Sequence, residues 1–452
     1  MGKYFGTDGA RGVANVLLTP EVAYRIGRFI GYQANDTSSH NRKARIVIGK
    51  DTRISSDMLE AAIASGIAAS GTDVFLMGIT TTAAISYITE KEAFSYGVMI
   101  TASHNPYYDN GIKIVDAGGK KLDDATTDIM EAYIDGDLLN SCPALPYAKN
   151  DTIGRILAYN SGRESYKDRL ISSMKNKLDG IKVGLDTSNG SAYRIAREVF
   201  EALGAVVVSV ADNPNGININ DKCGSGHMES LCRLVKENNL DVGFAFDGDA
   251  DRCIASDTNG NVVDGDKIIY ILAQRLKRLG KLPHNTVVVT VNSNSGFIKS
   301  LTKSGINADI CNVGDRFVSE RIDEGGYSLG GEQSGHVIIR ENGPVGDGIL
   351  TAIEVCNEMV DMDMCISELV SDVETYPQYS KSVKVNDKVT VMKSEKLRME
   401  KEIAEEKIGE RGRILIRPSG TEPIIRIMVE CESLMLAKEC ADRIAKSIDN
   451  GE

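Results

Sequence analysis

Short apolar runs alternate with amphipathic segments along the first three quarters of the chain, a rhythm that predicts repeated β-α-β units. Residues 45–49 read as a strand, and the segment after Ser55 and Ser56 as a helix capped by serine and ending near Gly71. Strands follow over 73–77 and 97–100, the latter leading into a polar turn. The pattern restarts with a strand at 181–185, a helix at 192–203, a strand at 205–210, a helix at 228–238 and a strand at 241–246. A third round has a strand at 286–291, a helix from Ser295 and strands at 308–311 and 327–329. No repeat is visible residue by residue, yet three such rounds fit a structural triplication. The last 75 or so residues differ: strand 381–385, helix 394–406, strand–loop–strand 413–430 and helix 434–448.

The fold class is therefore α/β: three similar mixed-sheet α/β domains followed by a smaller C-terminal α+β domain. The expected domains are 1–150, 151–255, 256–370 and 371–452. A chain of 452 residues is too long for one core, which agrees with this division. No low-complexity tract or long linker separates the domains.

Composition narrows the function. Apolar residues make up 42% and charged residues 26%, as in ordinary globular proteins, and no run is long and apolar enough for a membrane span. The N-terminus lacks the apolar stretch of a signal peptide, and Gly6 stands where myristoylation wants Ser or Thr. A soluble cytoplasmic protein is expected. Nine scattered cysteines with no Cys-x-x-Cys pair argue for reduced structural thiols and against a disulfide framework or a zinc site. The net charge of −12 disfavours nucleic acid. An anionic substrate would have to be caught by a local cluster of Arg, Lys and backbone N–H groups.

Four polar loops follow apolar runs, where α/β folds place their ligands. The first, residues 101–113, presents Ser103 in a turn marked by Asn105-Pro106 and Asn110-Gly111, with Lys113 ten residues on. The second carries Asp247, Asp249 and Asp251 at i, i+2 and i+4. An extended chain would put these carboxylates on one side, and Gly248 would let it curl round an ion. Three hard oxygen donors without His or Cys suit Mg²⁺, with Mn²⁺ as substitute and a phosphate oxygen as a fourth ligand. An EF-hand is excluded, because its sixth position is Arg252 and its twelfth Thr258. A solvated acidic turn is the plain alternative.

The third loop holds Glu332, Gln333, Ser334 and His336 between glycines, a set suited to sugar hydroxyls or to an ordinary turn. In the fourth, Arg417, Ser419, Gly420, Thr421 and Arg426 concentrate guanidinium, hydroxyl and glycine backbone in one loop. That fits a phosphate cradle, or a hairpin with a surface salt bridge. Weaker signals are the glycine-rich stretch from Gly6 to Gly12, which contains Arg11, and the charged turn Lys50-Asp51-Thr52-Arg53. Neither a Walker nor a dinucleotide-binding motif occurs.

Taken together and in this order, the four loops resemble those of the α-D-phosphohexomutase superfamily over essentially the whole chain. The segment from Tyr4 to Gly12, together with Gln333 in the third loop, resembles its glucosamine branch. The resemblance implies four domains around a central cleft and the interconversion of glucosamine 6-phosphate and glucosamine 1-phosphate, toward UDP-N-acetylglucosamine and bacterial cell-wall precursors. It implies that Ser103 is a phosphoserine, and that Asp247, Asp249 and Asp251 bind one Mg²⁺ together with a phosphoserine oxygen. Glu332 and Ser334 would contact sugar hydroxyls, while Arg417, Ser419, Gly420, Thr421 and Arg426 hold the non-reacting phosphate. Arg11, Lys113, Arg252 and His336 would line the transfer site, with Lys113 and His336 as candidates for proton transfer. A phosphorylated amino sugar is the implied partner and a homodimer the family-level expectation.

The chain departs from the family pattern at Ala83, where proline is usual after Thr82, at Gly226 in place of threonine, and at Ser56 and Ala250 in place of glycine. The nearest rival is the phosphomannomutase/phosphoglucomutase branch. A metal-dependent sugar phosphatase and a non-catalytic phosphosugar sensor are readings of other classes.

Overall fold

The computed structural model describes residues 3–6, 9–37, 43–136, 145–419 and 423–449. They form two compact units: residues up to Val291 together with Asp309–Ser371, and Asn292–Ala308 together with the chain from Asp372 onward.

The first unit begins with a seven-stranded mixed sheet made of β1 (Phe5–Gly6), β2 (Gly9–Val13), β3 (Arg45–Lys50), β4 (Asp73–Ile79), β5 (Tyr96–Ile100), β6 (Asp109–Val115) and β7 (Ile156–Ala158). The spatial order is β1-β2-β6-β5-β3-β4-β7. Parallel β3, β4 and β5 are the buried apolar runs of the sequence, and β6 returns antiparallel beside β5. This return pairs Met99 with Lys113, and Arg11 of β2 with Gly111 of β6, so register alone brings both cations to the Ser103 turn.

A second sheet holds β8 (Lys182–Asp186), β9 (Val206–Val210), β10 (Val242–Phe246), β11 (Cys253–Ser256) and β12 (Val262–Val263), in the order β12-β11-β10-β8-β9. A third has β13 (Thr286–Thr290), β14 (Asn307–Cys311), β15 (Leu329–Gly331) and β16 (Val337–Ile339), in the order β14-β13-β15-β16. Parallel strands joined by helices recur in all three sheets, as the alternation predicts. The strand expected at 327–329 lies two residues later. It runs into Gly330 and Gly331 because the β15–β16 hairpin continues to the Glu332 turn.

In the second unit, β17 (Gln378–Lys384), β18 (Gly412–Pro418) and β19 (Ile424–Cys431) form an antiparallel sheet in the order β17-β19-β18. Helices Glu395–Ile408 and Leu434–Asp449 cover it over a core of Val383, Leu397, Ile425, Ile427, Val429, Ala441 and Ile444. Helix Ser295–Lys303 belongs here as well, tied by the buried Glu430. That carboxylate accepts hydrogen bonds from the Ser295 N–H at 2.7 Å and the Asn294 amide at 3.1 Å.

Helices Pro20–Thr37 and Ser56–Ala69 cross against the first sheet at a glycine contact. A Cβ on Gly27 would lie 2.2 Å from the Ile63 carbonyl oxygen, and one on Gly66 equally close to that of Tyr24. The second helix is not capped as expected. Ser55 makes no cap bond and instead, like Ser56, accepts a hydrogen bond from Asn110. Among the described residues the eight cysteines are unpaired, and no helix is long and apolar enough to cross a membrane.

Backbone carbonyls cannot rotate out of the way, so Gly27→Ala must push the two helices apart. The clash outweighs the gain of about 1 kcal/mol in helix propensity. A net loss of about 1–3 kcal/mol is expected, read as a lower midpoint of the first thermal transition in calorimetry.

Candidate active site

The Ser103 turn follows β5. Ser103 is buried and has left-handed backbone, φ 52°. A non-glycine residue held there in a functional turn signals stored strain. Its hydroxyl donates to Asp247 Oδ2 at 2.6 Å, its N–H donates to Thr101 Oγ1 at 3.0 Å, and His104 Nδ1 lies 3.4 Å from Oγ.

The loop after β10 brings Asp247, Asp249 and Asp251 together, each buried, with one oxygen of each within 4.8 Å of the others. The cause is not the extended chain that the i, i+2, i+4 spacing suggested. A turn closes between Asp247 and Ala250, with the Ala250 N–H on the Asp247 carbonyl at 3.1 Å and Ala250 at φ 58°. Nor does Gly248 supply the curl. It is required by packing, since a Cβ there would sit 2.5 Å from the Ser103 carbonyl oxygen. Lys113 reaches across from β6 and donates to Asp249 Oδ2 at 2.7 Å and Asp251 Oδ2 at 3.1 Å. Asp249 Oδ1 and Asp251 Oδ1, both buried, make no hydrogen bond. Three converging carboxylates, two with an unsatisfied oxygen, fit a hard divalent cation.

Burial, followed by the charges of Asp251 and Asp249, pushes Asp247 well above the usual carboxylate range. Burial acts in the same sense on Asp251, but Lys113 and His336 outweigh it and hold that group well below the range. The charges thus divide unevenly over three similar side chains, with Asp247, the partner of Ser103, carrying the strain.

Around this centre stand the other cations. Arg252 is half-buried, and its backbone N–H donates to Asp247 Oδ1 at 3.2 Å. Burial, with Arg252 and Arg11 nearby, lowers His104 to about 4, so this imidazole is neutral at pH 7. His336 bridges to Arg252 through the backbone. It is buried between Asp251 and Asp315, its Nδ1 3.7 Å from the first and its Nε2 3.9 Å from the second. Gly346 allows this, since a Cβ there would meet the His336 ring at 2.6 Å. A cavity of about 220 Å³ opens beside His336, lined also by Lys121, Asp315, Arg316, Ser319 and Pro344.

The β15–β16 turn presents Glu332, half-buried, with Oε1 accepting the Gly314 N–H at 3.0 Å, and Ser334, exposed. The Gln333 amide donates to Asp264 Oδ2 at 3.2 Å. In the second unit Arg417 and Arg426 are direct cross-strand partners on β18 and β19, both exposed, next to the buried Ser419. Like charges placed opposite each other destabilise a sheet, and an anion between them reverses the sign. Gly420 and Thr421 lie outside the described residues.

Residues 2–140, 164–260 and 264–376 match phosphoglucomutase/phosphomannomutase alpha/beta/alpha domains I, II and III, and residues 381–447 match the C-terminal domain. A phosphoglucosamine mutase of Lachnoclostridium phytofermentans is 45% identical over 445 residues, 98% of this chain and 97% of that protein. One from Bacillus cytotoxicus is 44% identical over 444 residues, 98% of each. The chain belongs to the phosphoglucosamine mutase family. In fold it is similar to a phosphoglucomutase/phosphomannomutase family protein from Burkholderia thailandensis, with a TM-score of 0.79 at 23% identity over 98% of both chains.

Within this phosphoglucosamine mutase family member, the structure brings Ser103, Lys113, the three Asp, Arg252 and His336 into one cluster, with Arg11 close to His104. It also adds residues that the sequence reading passed over. His104 adjoins Ser103 in the motif and could have been found there. Thr82, noted only for the missing proline beside it, hydrogen-bonds Asp249 through its hydroxyl. Asp315 gave no signal, because only the tertiary fold sets it beside His336.

Two outcomes follow from the charges. A carboxyl with a raised folded pKa contributes stability while protonated and loses it as pH rises through that pKa. The raised Asp247 carboxyl therefore costs the metal-free protein stability at pH above the usual carboxylate range. Asp247→Asn should melt higher than wild type in chelator and lose the Mg²⁺-induced rise in melting temperature; an undiminished rise would remove Asp247 from the metal site.

Asp186, at the end of β8, is buried, and desolvation pushes it up to about 6 against the hydrogen bonds it accepts from the Gly224 and Ser188 N–H groups. Its contribution is complete below about pH 4 and is lost as pH rises through 6. Asp186→Asn should gain roughly 2–3 kcal/mol at pH 8 and flatten the stability profile between pH 4 and 7 in urea titrations.

Proposed function

We propose that this protein interconverts glucosamine 6-phosphate and glucosamine 1-phosphate, with Ser103 as the phosphoryl carrier. The observation that carries this reading is the Ser103 hydroxyl, buried and 2.6 Å from one member of a carboxylate triad. Full-length relatives named for this activity support it.

The cycle starts with phosphorylated Ser103. Its phosphoryl group passes to the free hydroxyl of the sugar phosphate, giving a 1,6-bisphosphate and the serine hydroxyl. The bisphosphate turns over, and its other phosphoryl returns to Ser103, leaving the isomeric monophosphate. Mg²⁺ held by Asp247, Asp249, Asp251 and a phosphoserine oxygen would supply charge neutralisation at the transferring group.

Arg252 and Arg11 offer guanidinium donors to the phosphoryl oxygens as charge develops. Lys113 and His336 are the groups for taking the proton from the attacking sugar hydroxyl. Of the two, Lys113 is already engaged by Asp249 and Asp251. Glu332 and Ser334 would orient the ring through its hydroxyls. Arg417, Ser419, Gly420, Thr421 and Arg426 would hold the phosphate that does not react. In either orientation of the sugar the same cradle serves, since a 1,6-bisphosphate presents one phosphate at each end. The activity would supply UDP-N-acetylglucosamine and cell-wall precursor synthesis in the cytoplasm.

The test combines purified protein with Mg²⁺, a trace of hexose 1,6-bisphosphate and one of glucosamine, glucose or mannose 6-phosphate, read by phosphorus NMR. Glucosamine 1-phosphate should form fastest. Preference for glucose or mannose would overturn the sugar assignment, and release of inorganic phosphate would favour a phosphatase. Ser103→Ala should lose at least about a thousandfold in turnover while keeping its fold; wild-type rates would end the carrier mechanism.

A further inference from the structure

We propose that Arg53, together with Asn220, is a positioning residue for the phosphoryl-carrying serine and acts through the Ser103 carbonyl; this rests on the role given to Ser103 above. The charged turn Lys50-Asp51-Thr52-Arg53 was the one motif that the active-site cluster left without a task. Arg53 is among the largest fully buried side chains. Its guanidinium donates to the carbonyl of Ser103 at 2.9 Å, of Asn105 at 2.8 Å and of Asp109 at 3.1 Å, and also to that of Pro106. One fork therefore gathers four carbonyls of the serine loop. Asp51 neutralises it, with Oδ2 accepting from Arg53 Nε at 2.8 Å and Oδ1 from the Arg53 N–H at 3.0 Å.

Asn220 comes to the same carbonyl from the loop that follows β9. Its amide donates to Ser103 O at 2.8 Å and to Asn105 O at 3.0 Å, and its own N–H donates to Ser188 O at 2.9 Å. Gly248 closes the third side, leaving no room for a Cβ against the Ser103 oxygen. The peptide after Ser103 is thus fixed by two donors and a wall. With its carbonyl fixed, Ser103 holds φ at 52°, and this sets the direction of Oγ toward Asp247. Without the donors, only the Gly248 wall would be left against relaxation to the ordinary negative φ, which would swing Oγ away. Lysine cannot substitute, because its single nitrogen cannot reach four carbonyls at once.

Asn220 is itself left-handed, φ 58°, so Asn220→Gly removes the amide without straining the backbone. In the full-length enzyme with Mg²⁺, bisphosphate and glucosamine 6-phosphate, this variant should lose about tenfold in kcat, with KM within about twofold and an unchanged melting temperature, since misalignment acts on the chemical step. Arg53→Lys should lose about a hundredfold. The double variant should lose little more than Arg53→Lys alone, because both donors act on one carbonyl. Wild-type kcat in Asn220→Gly, or multiplicative losses in the double variant, would overturn the proposal. Asn220→Gly decides alone if Arg53→Lys does not fold. Full activity in Ser103→Ala would instead overturn the carrier reading, whereas an inactive Ser103→Ala beside a fully active Asn220→Gly overturns only this inference.

Discussion

Three carboxylates buried side by side govern the first unit. Isolated in a protein interior, each would cost several kcal/mol to desolvate, and their mutual repulsion adds to that. Lys113 pairs with Asp249 and Asp251, Arg252 adds positive charge nearby, and the Thr82 hydroxyl reaches Asp249 from the start of helix Thr82–Lys91. Two oxygens still lack a donor. The remainder is a negative, hard-oxygen niche pressed against a serine hydroxyl, and it cannot be relieved by rotating a side chain toward solvent. Strands β2, β6, β10 and β16 are held in register around this niche, and much of their sequence serves it.

Register explains why cations from distant positions meet there. Lys113 and Arg11 arrive because β6 runs antiparallel to both β5 and β2. His336 arrives because the β15–β16 hairpin bridges back to Arg252. Each is a consequence of backbone pairing, so the cluster rests on hydrogen-bonded strands rather than on free loops. In the second unit the logic is reversed. Arg417 and Arg426 are cross-strand partners at the exposed end of a hairpin, where water screens their charges.

Most of the central parallel strands and their helices were legible in the sequence, because buried strands are continuous apolar runs and their helices are strongly amphipathic. Short edge strands such as β1 and β7 were not, since two or three residues carry no periodicity. Helix Gly348–Met362 is buried at almost every position from Gly348 to Met359, so no amphipathic stripe marks it. The triad was legible, but its geometry was inferred for the wrong reason. Spacing suggested an extended strand, whereas a turn through left-handed Ala250 converges the carboxylates. Ser55 and Ser56 read as a cap because capping is a local rule; their hydroxyls were recruited by Asn110 from another strand, and no local rule anticipates that. Arg53 was visible as a charge, but its burial is purely tertiary.

Glu430 bears on how this protein can be divided. Its buried carboxylate serves Asn294 and the first N–H of helix Ser295–Lys303, while Gln378 donates to the same oxygen pair at 2.6 Å. The C-terminal unit is therefore discontinuous in the chain, with a helix borrowed from some 70 residues upstream of its own sheet. A fragment begun at Asp372 would keep Gln378 and Arg413 beside that acid but lose the Asn294 and Ser295 donors, and the complementary fragment would carry a helix, still capped by Asn294, with no Glu430 to hold it. The fourth family segment is a unit of inheritance but not of excision.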